Sequence, residues 1–97
     1  MTFRLEHIRE NLPLFVRRLG YVPLGYTERR ELNCVRRLGA DYPRFHAYIR
    51  EEGGACVVNL HLDQKRPSYA GSAAHGGDYE SETVRAEAAR IKTLASP

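Results

Sequence analysis

The run RFHAYIREEGGACVVNLHLDQ, residues 44–64, constrains the fold more than any other part of the chain. Two segments of alternating apolar and polar residues flank Gly53-Gly54. Adjacent glycines can both take positive φ, which a tight two-residue hairpin turn requires. The run therefore predicts a β-hairpin, and a two-residue loop also fixes its register. Phe45 falls opposite Leu62, Ala47 opposite Leu60 and Ile49 opposite Val58, so one face is apolar. The other face carries His46 across from His61, Tyr48 across from Asn59, and Arg44 next to Asp63. A slip of one residue would send the two histidines to opposite faces.

The flanking segments supply the rest of the core. In residues 6–19, Ile8, Leu12, Phe15, Val16 and Leu19 recur at helical spacing, and Gly20 sits where a helix-ending glycine belongs. Pro13 is incompatible with a helix interior but not with a first turn, so a shorter helix over roughly residues 11–19, capped by Asn11, is expected. Residues 1–8 are then a short strand or an extended arm. Pro23 and Gly25 make residues 21–28 a loop, and ELNCVRRL, residues 31–38, reads as a strand. Near the end, Val84, Ala88 and Ile91 line one face of a helix whose N-cap is Ser81 or Asp78. The expected fold class is α+β: a helix, a three-stranded antiparallel meander and a second helix, with both helices on one face of the sheet. Residues 1–97 are expected to form a single domain, with a loop over residues 65–79 long enough to be functional.

Composition narrows the setting. A hydrophobic fraction of 42% excludes a wholly disordered chain. No apolar run approaches the roughly 20 residues that span a bilayer, so no membrane partner is expected. The N-terminus is charged from its fourth residue and lacks a signal-peptide core, which points to the cytoplasm. Cys34 and Cys56 show no CxxC spacing and read as small buried hydrophobes of a reducing compartment. Charge is uneven. The ten cations of residues 1–50, all arginine, face five carboxylates, whereas residues 51–97 hold five cations and seven carboxylates. The first half could therefore dock an acidic partner or nucleic acid, or it could simply be a solvated face.

The polar face of the hairpin is the candidate site. Alternate residues of a strand point the same way, which sets His61, Asp63 and Lys65 side by side with His46 across from them. Two imidazoles and a carboxylate form a common donor set for a catalytic divalent ion, here zinc or manganese. His46, His61 and Asp63 are the expected ligands. His75 is the expected acid or base, since imidazole titrates near neutrality. Lys65 and Arg44 could neutralise an anionic substrate, and the loop could bring His75 or Tyr79 over the same face. The same residue types also suit the open, solvated face of a small sheet, where Asp63 and Arg44 would form an ordinary cross-strand ion pair.

The spacing His61-x-Asp63-x-Lys65 followed by His75-x-x-x-Tyr79 resembles the 3′-phosphoesterase domain of bacterial end-joining DNA ligases, over about twenty residues. The resemblance implies metal ligation by His61 and Asp63, and phosphate contacts from Lys65, His75 and Tyr79. Lys65 stands where that family has arginine, and Ala55 stands where it has a further histidine. The resemblance would put the site in a larger β-barrel than 97 residues build. The order helix, three strands, helix is also similar to the double-stranded-RNA-binding domain. That domain has lysines at the start of its second helix, where this chain reads DYESETVR, so nucleic acid is not favoured. The open sheet edges leave room for a homodimer.

Overall fold

Glycines 53 and 54 take φ of +54° and +83°, and the hairpin forms around them. We describe the protein from a computed structural model, over residues 1–64, 77–78 and 81–96. The hairpin strands are β4 (Arg44–Glu52) and β5 (Ala55–Asp63). Their register pairs Phe45 with Leu62, His46 with His61, Ala47 with Leu60, Tyr48 with Asn59 and Arg44 with Asp63.

The hairpin lies in the middle of a wider sheet. β1 (Thr2–Leu5) pairs with the free side of β5, with Thr2 opposite Asn59 and Leu5 opposite Cys56. On the other side, β3 (Leu32–Arg37) pairs with β4, and β2 (Val22–Tyr26) pairs with β3. The order is β1-β5-β4-β3-β2, antiparallel throughout, with the two-residue β6 (Gly77–Asp78) against the end of β5. The expected three-stranded meander flanked by two helices is therefore corrected. Five antiparallel strands, with β6 beside them, make one sheet.

Both additional strands have a physical reason. β2 contains Pro23, which has no N–H, and Gly25, at φ +130°. An edge strand needs only one row of backbone bonds, and the register shifts between Pro23 and Gly25 as a bulge would. Residues that signal a loop are thus accommodated in a strand. β1 resolves the open reading of the N-terminal segment. Its strand is secured beyond its own limits, where the Met1 amino group donates to the Leu60 carbonyl at 2.9 Å and Leu60 N–H donates to the Met1 carbonyl at 2.8 Å.

α1 (Leu12–Arg18) begins where the sequence suggests. The Asn11 side chain accepts from Leu14 N–H at 3.0 Å, and Pro13 lies in the first turn. Gly20, at φ +94°, follows the C-cap Leu19. α2 (Glu82–Ala95) is capped by Ser81, whose hydroxyl accepts from Val84 N–H at 3.3 Å. Leu12, Phe15 and Val16 of α1, with Val84, Ala88 and Ile91 of α2, share one core with Leu32, Cys34, Ala47, Ile49, Val58 and Leu60 of the sheet. The helices cover that face, and the opposite face holds the candidate site.

Candidate metal centre

Register decides what meets on the open face. His46 and His61 are direct cross-strand partners, and Asp63 is two residues beyond His61. The Asp63 carboxylate lies between the two imidazoles. Its Oδ2 is 3.0 Å from His46 Nδ1, and its Oδ1 is 2.9 Å from His61 Nε2. Arg44, opposite Asp63, donates from Nε to Oδ2 at 3.0 Å and stacks its guanidinium 4.8 Å from the centre of the Tyr42 ring. Tyr48 stacks on His46 at a centroid separation of 4.8 Å, and the His46 and His61 rings lie 4.9 Å apart.

One donor atom from each of His46, His61 and Asp63 falls within 4.8 Å of the others, close enough to hold a metal ion. The 3.0 and 2.9 Å contacts to the two imidazoles use opposite oxygens of Asp63. With metal–ligand bonds of about 2.1 Å, neighbouring ligand atoms sit about 3.0 Å apart around an octahedral ion and about 3.4 Å around a tetrahedral one. The full donor set extends to 4.8 Å, so an ion would have to draw the three side chains closer together.

The electrostatics follow from partial burial. Asp63 and His61 are only 18% and 13% exposed in their side chains. Burial alone would raise the Asp63 carboxyl, but the hydrogen bond from Arg44 and the two neighbouring imidazoles outweigh it and hold the group below its ordinary value. Asp63 is an anion under ordinary conditions. Burial dominates at His46 and pushes its pKa down, even with Asp63 beside it, so the neutral, ligating form is favoured. Val35, directly opposite His46 on β3, is fully buried and gives the imidazole an apolar neighbour.

Asn33 is the site residue that sequence reasoning missed. It lies on β3 opposite Tyr48, diagonal to His46, and its Oδ1 contacts His46 Nε2. Finding it requires the β3–β4 register, and the connection over residues 38–43 carries no two-residue turn signal from which to count. Lys65, His75 and Tyr79, the expected phosphate-side and acid–base residues, lie outside the described residues. His7 lines a cavity of about 490 Å³ with Phe15, Arg18 and Ala95, none of them a site residue. Among the arginines, Arg36 is only partly exposed. Its guanidinium reaches Glu87 of α2 at 3.3 Å and lies 5.9 Å from the centre of the Phe45 ring.

No family model matches the chain, and neither does any curated protein or solved structure compared with it. No helix among the described residues is long and apolar enough to cross a membrane.

Proposed function

We propose that this chain is a small divalent-metal-binding domain, with His46, His61 and Asp63 as the protein ligands. A single observation carries the reading: both imidazoles direct a ring nitrogen at opposite oxygens of one ionised carboxylate, at 3.0 and 2.9 Å. Two histidines and one carboxylate leave coordination positions for water and substrate. A divalent ion in such a site supplies a bound water of lowered pKa and an electrophile for a phosphoryl oxygen. Metal-assisted hydrolysis of a phosphate-containing substrate is the activity we assign to it. Arg44 places a cation beside the anionic ligand Asp63, and the stacked Tyr48 ring walls one side of His46. Lys65, His75 and Tyr79 are the groups we assign to the substrate phosphate and to proton transfer, from their spacing after Asp63.

Metal analysis and calorimetric titration of the purified protein with Zn²⁺ and Mn²⁺ test the proposal. One ion per chain is expected, with a higher Tm on loading. Binding should weaken at least about 100-fold in His61→Ala and Asp63→Asn, as removal of one of three ligands implies. Hydrolysis of a generic phosphate mono- or diester should require the ion and fail in the same variants. Absence of stoichiometric metal, or equal affinity in His61→Ala, would refute the site. Metal binding without hydrolysis would remove the phosphoesterase reading and leave a binding site.

A further inference from the structure

Arg37, at the end of β3, lies directly opposite Arg44, at the start of β4. Strand parity puts both on the face that carries His46 and Asp63. Like charges at opposite positions destabilise a sheet, so this pair calls for an anion. Asp63 answers only half of that need. It accepts from Arg44 Nε at 3.0 Å and is shared with two imidazoles. Among the described residues nothing accepts from Nη1 or Nη2 of Arg44, the outer edge of its fork. Arg37 has only Asp41, whose Oδ1 is 3.8 Å from its Nε, beyond hydrogen-bond reach, on a side chain 90% exposed. Arg37, Asp41, Tyr42 and Arg44 line a cleft of about 480 Å³. We infer that Arg37 and Arg44 form a phosphate-binding subsite in this cleft, at the edge of the candidate metal centre.

The two arginines divide the work. Arg44 is held in place, by Asp63 at its Nε and by the Tyr42 ring, whose centre lies 4.8 Å from the guanidinium. Only 18% of its side chain is exposed, and the Nη1/Nη2 edge remains for two oxygens of one phosphate. Arg37, with 41% of its side chain exposed, supplies a second fork from the neighbouring strand. Asp41 sits at the rim, where it competes with an incoming anion for Arg37. A single guanidinium then links the bound phosphate to Asp63. The subsite rests on the metal-hydrolysis reading for the identity of its ligand, the substrate phosphate, but its affinity for phosphate is measurable without metal.

Calorimetric titration of the metal-free protein with inorganic phosphate, at low ionic strength, tests it. Saturable binding of one phosphate per chain is expected. Arg37→Ala should weaken it about tenfold or more, as loss of charge-assisted hydrogen bonds implies. Arg37→Lys should restore only part of the affinity, because an ammonium cannot fork two oxygens. Asp41→Asn should bind phosphate as tightly as the wild type or more tightly. Arg50→Ala, which removes an exposed arginine at the far end of β4, should leave the affinity unchanged. Circular dichroism checks that each variant folds. Absence of saturable binding, equal affinity in Arg37→Ala, or an equal loss in Arg50→Ala would overturn the subsite. His61→Ala separates the two readings, since it removes a metal ligand and should still bind phosphate. Phosphate binding that depends on Arg37, in a protein that takes up neither Zn²⁺ nor Mn²⁺, would support the subsite and refute the metal reading. Metal binding without Arg37-dependent phosphate binding would keep the metal reading and overturn the subsite.

Discussion

At the scale of single residues, His46 governs how the site responds to acid. Burial is the larger influence and holds its folded-state pKa below the ordinary imidazole value. Between the two values the unfolded chain binds more protons than the folded one, so stability rises with pH there. His46's contribution is complete above about pH 6.5, the ordinary value, and is lost as pH falls through the depressed one. Asp63, also depressed, acts in the same direction but only at more acidic pH, around and below about 4. The metal-free protein should therefore keep a constant Tm from pH 8 to about 7 and lose stability below about 6.5. His46→Gln should flatten that fall, and an equally steep fall in the variant would assign it to other groups. Metal affinity should fall over the same range, because a proton and an ion compete for the same nitrogen. Much of this residue-level picture is legible in the sequence. Strand parity and a two-residue turn suffice to bring His46, His61, Asp63 and Arg44 together. Asn33 is not legible, because its place depends on how a different strand is registered.

At the scale of elements, the turn glycines and the helix caps do the local work. Gly53 and Gly54 both hold positive φ, a conformation that costs an L-residue roughly 1–2 kcal/mol. Gly54→Ala should therefore lower stability by about 1 kcal/mol, and Gly54→Val by more, in urea denaturation followed by circular dichroism. The same variants should loosen metal binding, because the turn sets the register that pairs His46 with His61. An unaltered midpoint for Gly54→Val would mean that the register is set elsewhere. The hairpin and α1 are readable from sequence because their determinants are local: adjacent glycines, a capping Asn11 and a first-turn Pro13. β2 is hidden because Pro23 and Gly25 argue against a strand unless the strand is known to be an edge. That fact belongs to the sheet, not to the segment. β1 is undecided for a related reason. Its partner strand begins some fifty residues later in the chain.

At the scale of the whole molecule, a buried ionic cluster ties the helix layer to the sheet. Glu87 of α2 has only 3% of its side chain exposed. It accepts from the Tyr21 hydroxyl at 2.6 Å and contacts Arg90 at 2.7 Å and Arg36 of β3 at 3.3 Å. Arg90 continues to the Leu19 carbonyl at 2.7 Å, so the end of α1, the sheet and α2 meet at one carboxylate. Burial and the Glu87 carboxylate push the Tyr21 phenol well above its ordinary range, which keeps its hydrogen in place to donate. Removing Glu87 strands that hydroxyl and two guanidiniums. Both arginines are about a third exposed and can partly rehydrate. Glu87→Leu should accordingly cost about 2 kcal/mol, or roughly 10 °C in Tm. Adding Tyr21→Phe to that variant should recover part of the loss, because it removes the stranded hydroxyl. Strict additivity of the two changes would show that the pair is not coupled. This cluster and the strand count are what the sequence withholds, and the hairpin face is what it discloses. Turn chemistry and alternation, acting over neighbouring residues, determine that His46, His61 and Asp63 share a polar surface. Only the tertiary structure decides that β1 and β2 widen the sheet, that Asn33 reaches His46, and that Arg36 turns inward to Glu87. Those contacts join residues far apart in the chain, and their register is set by packing rather than by any local signal.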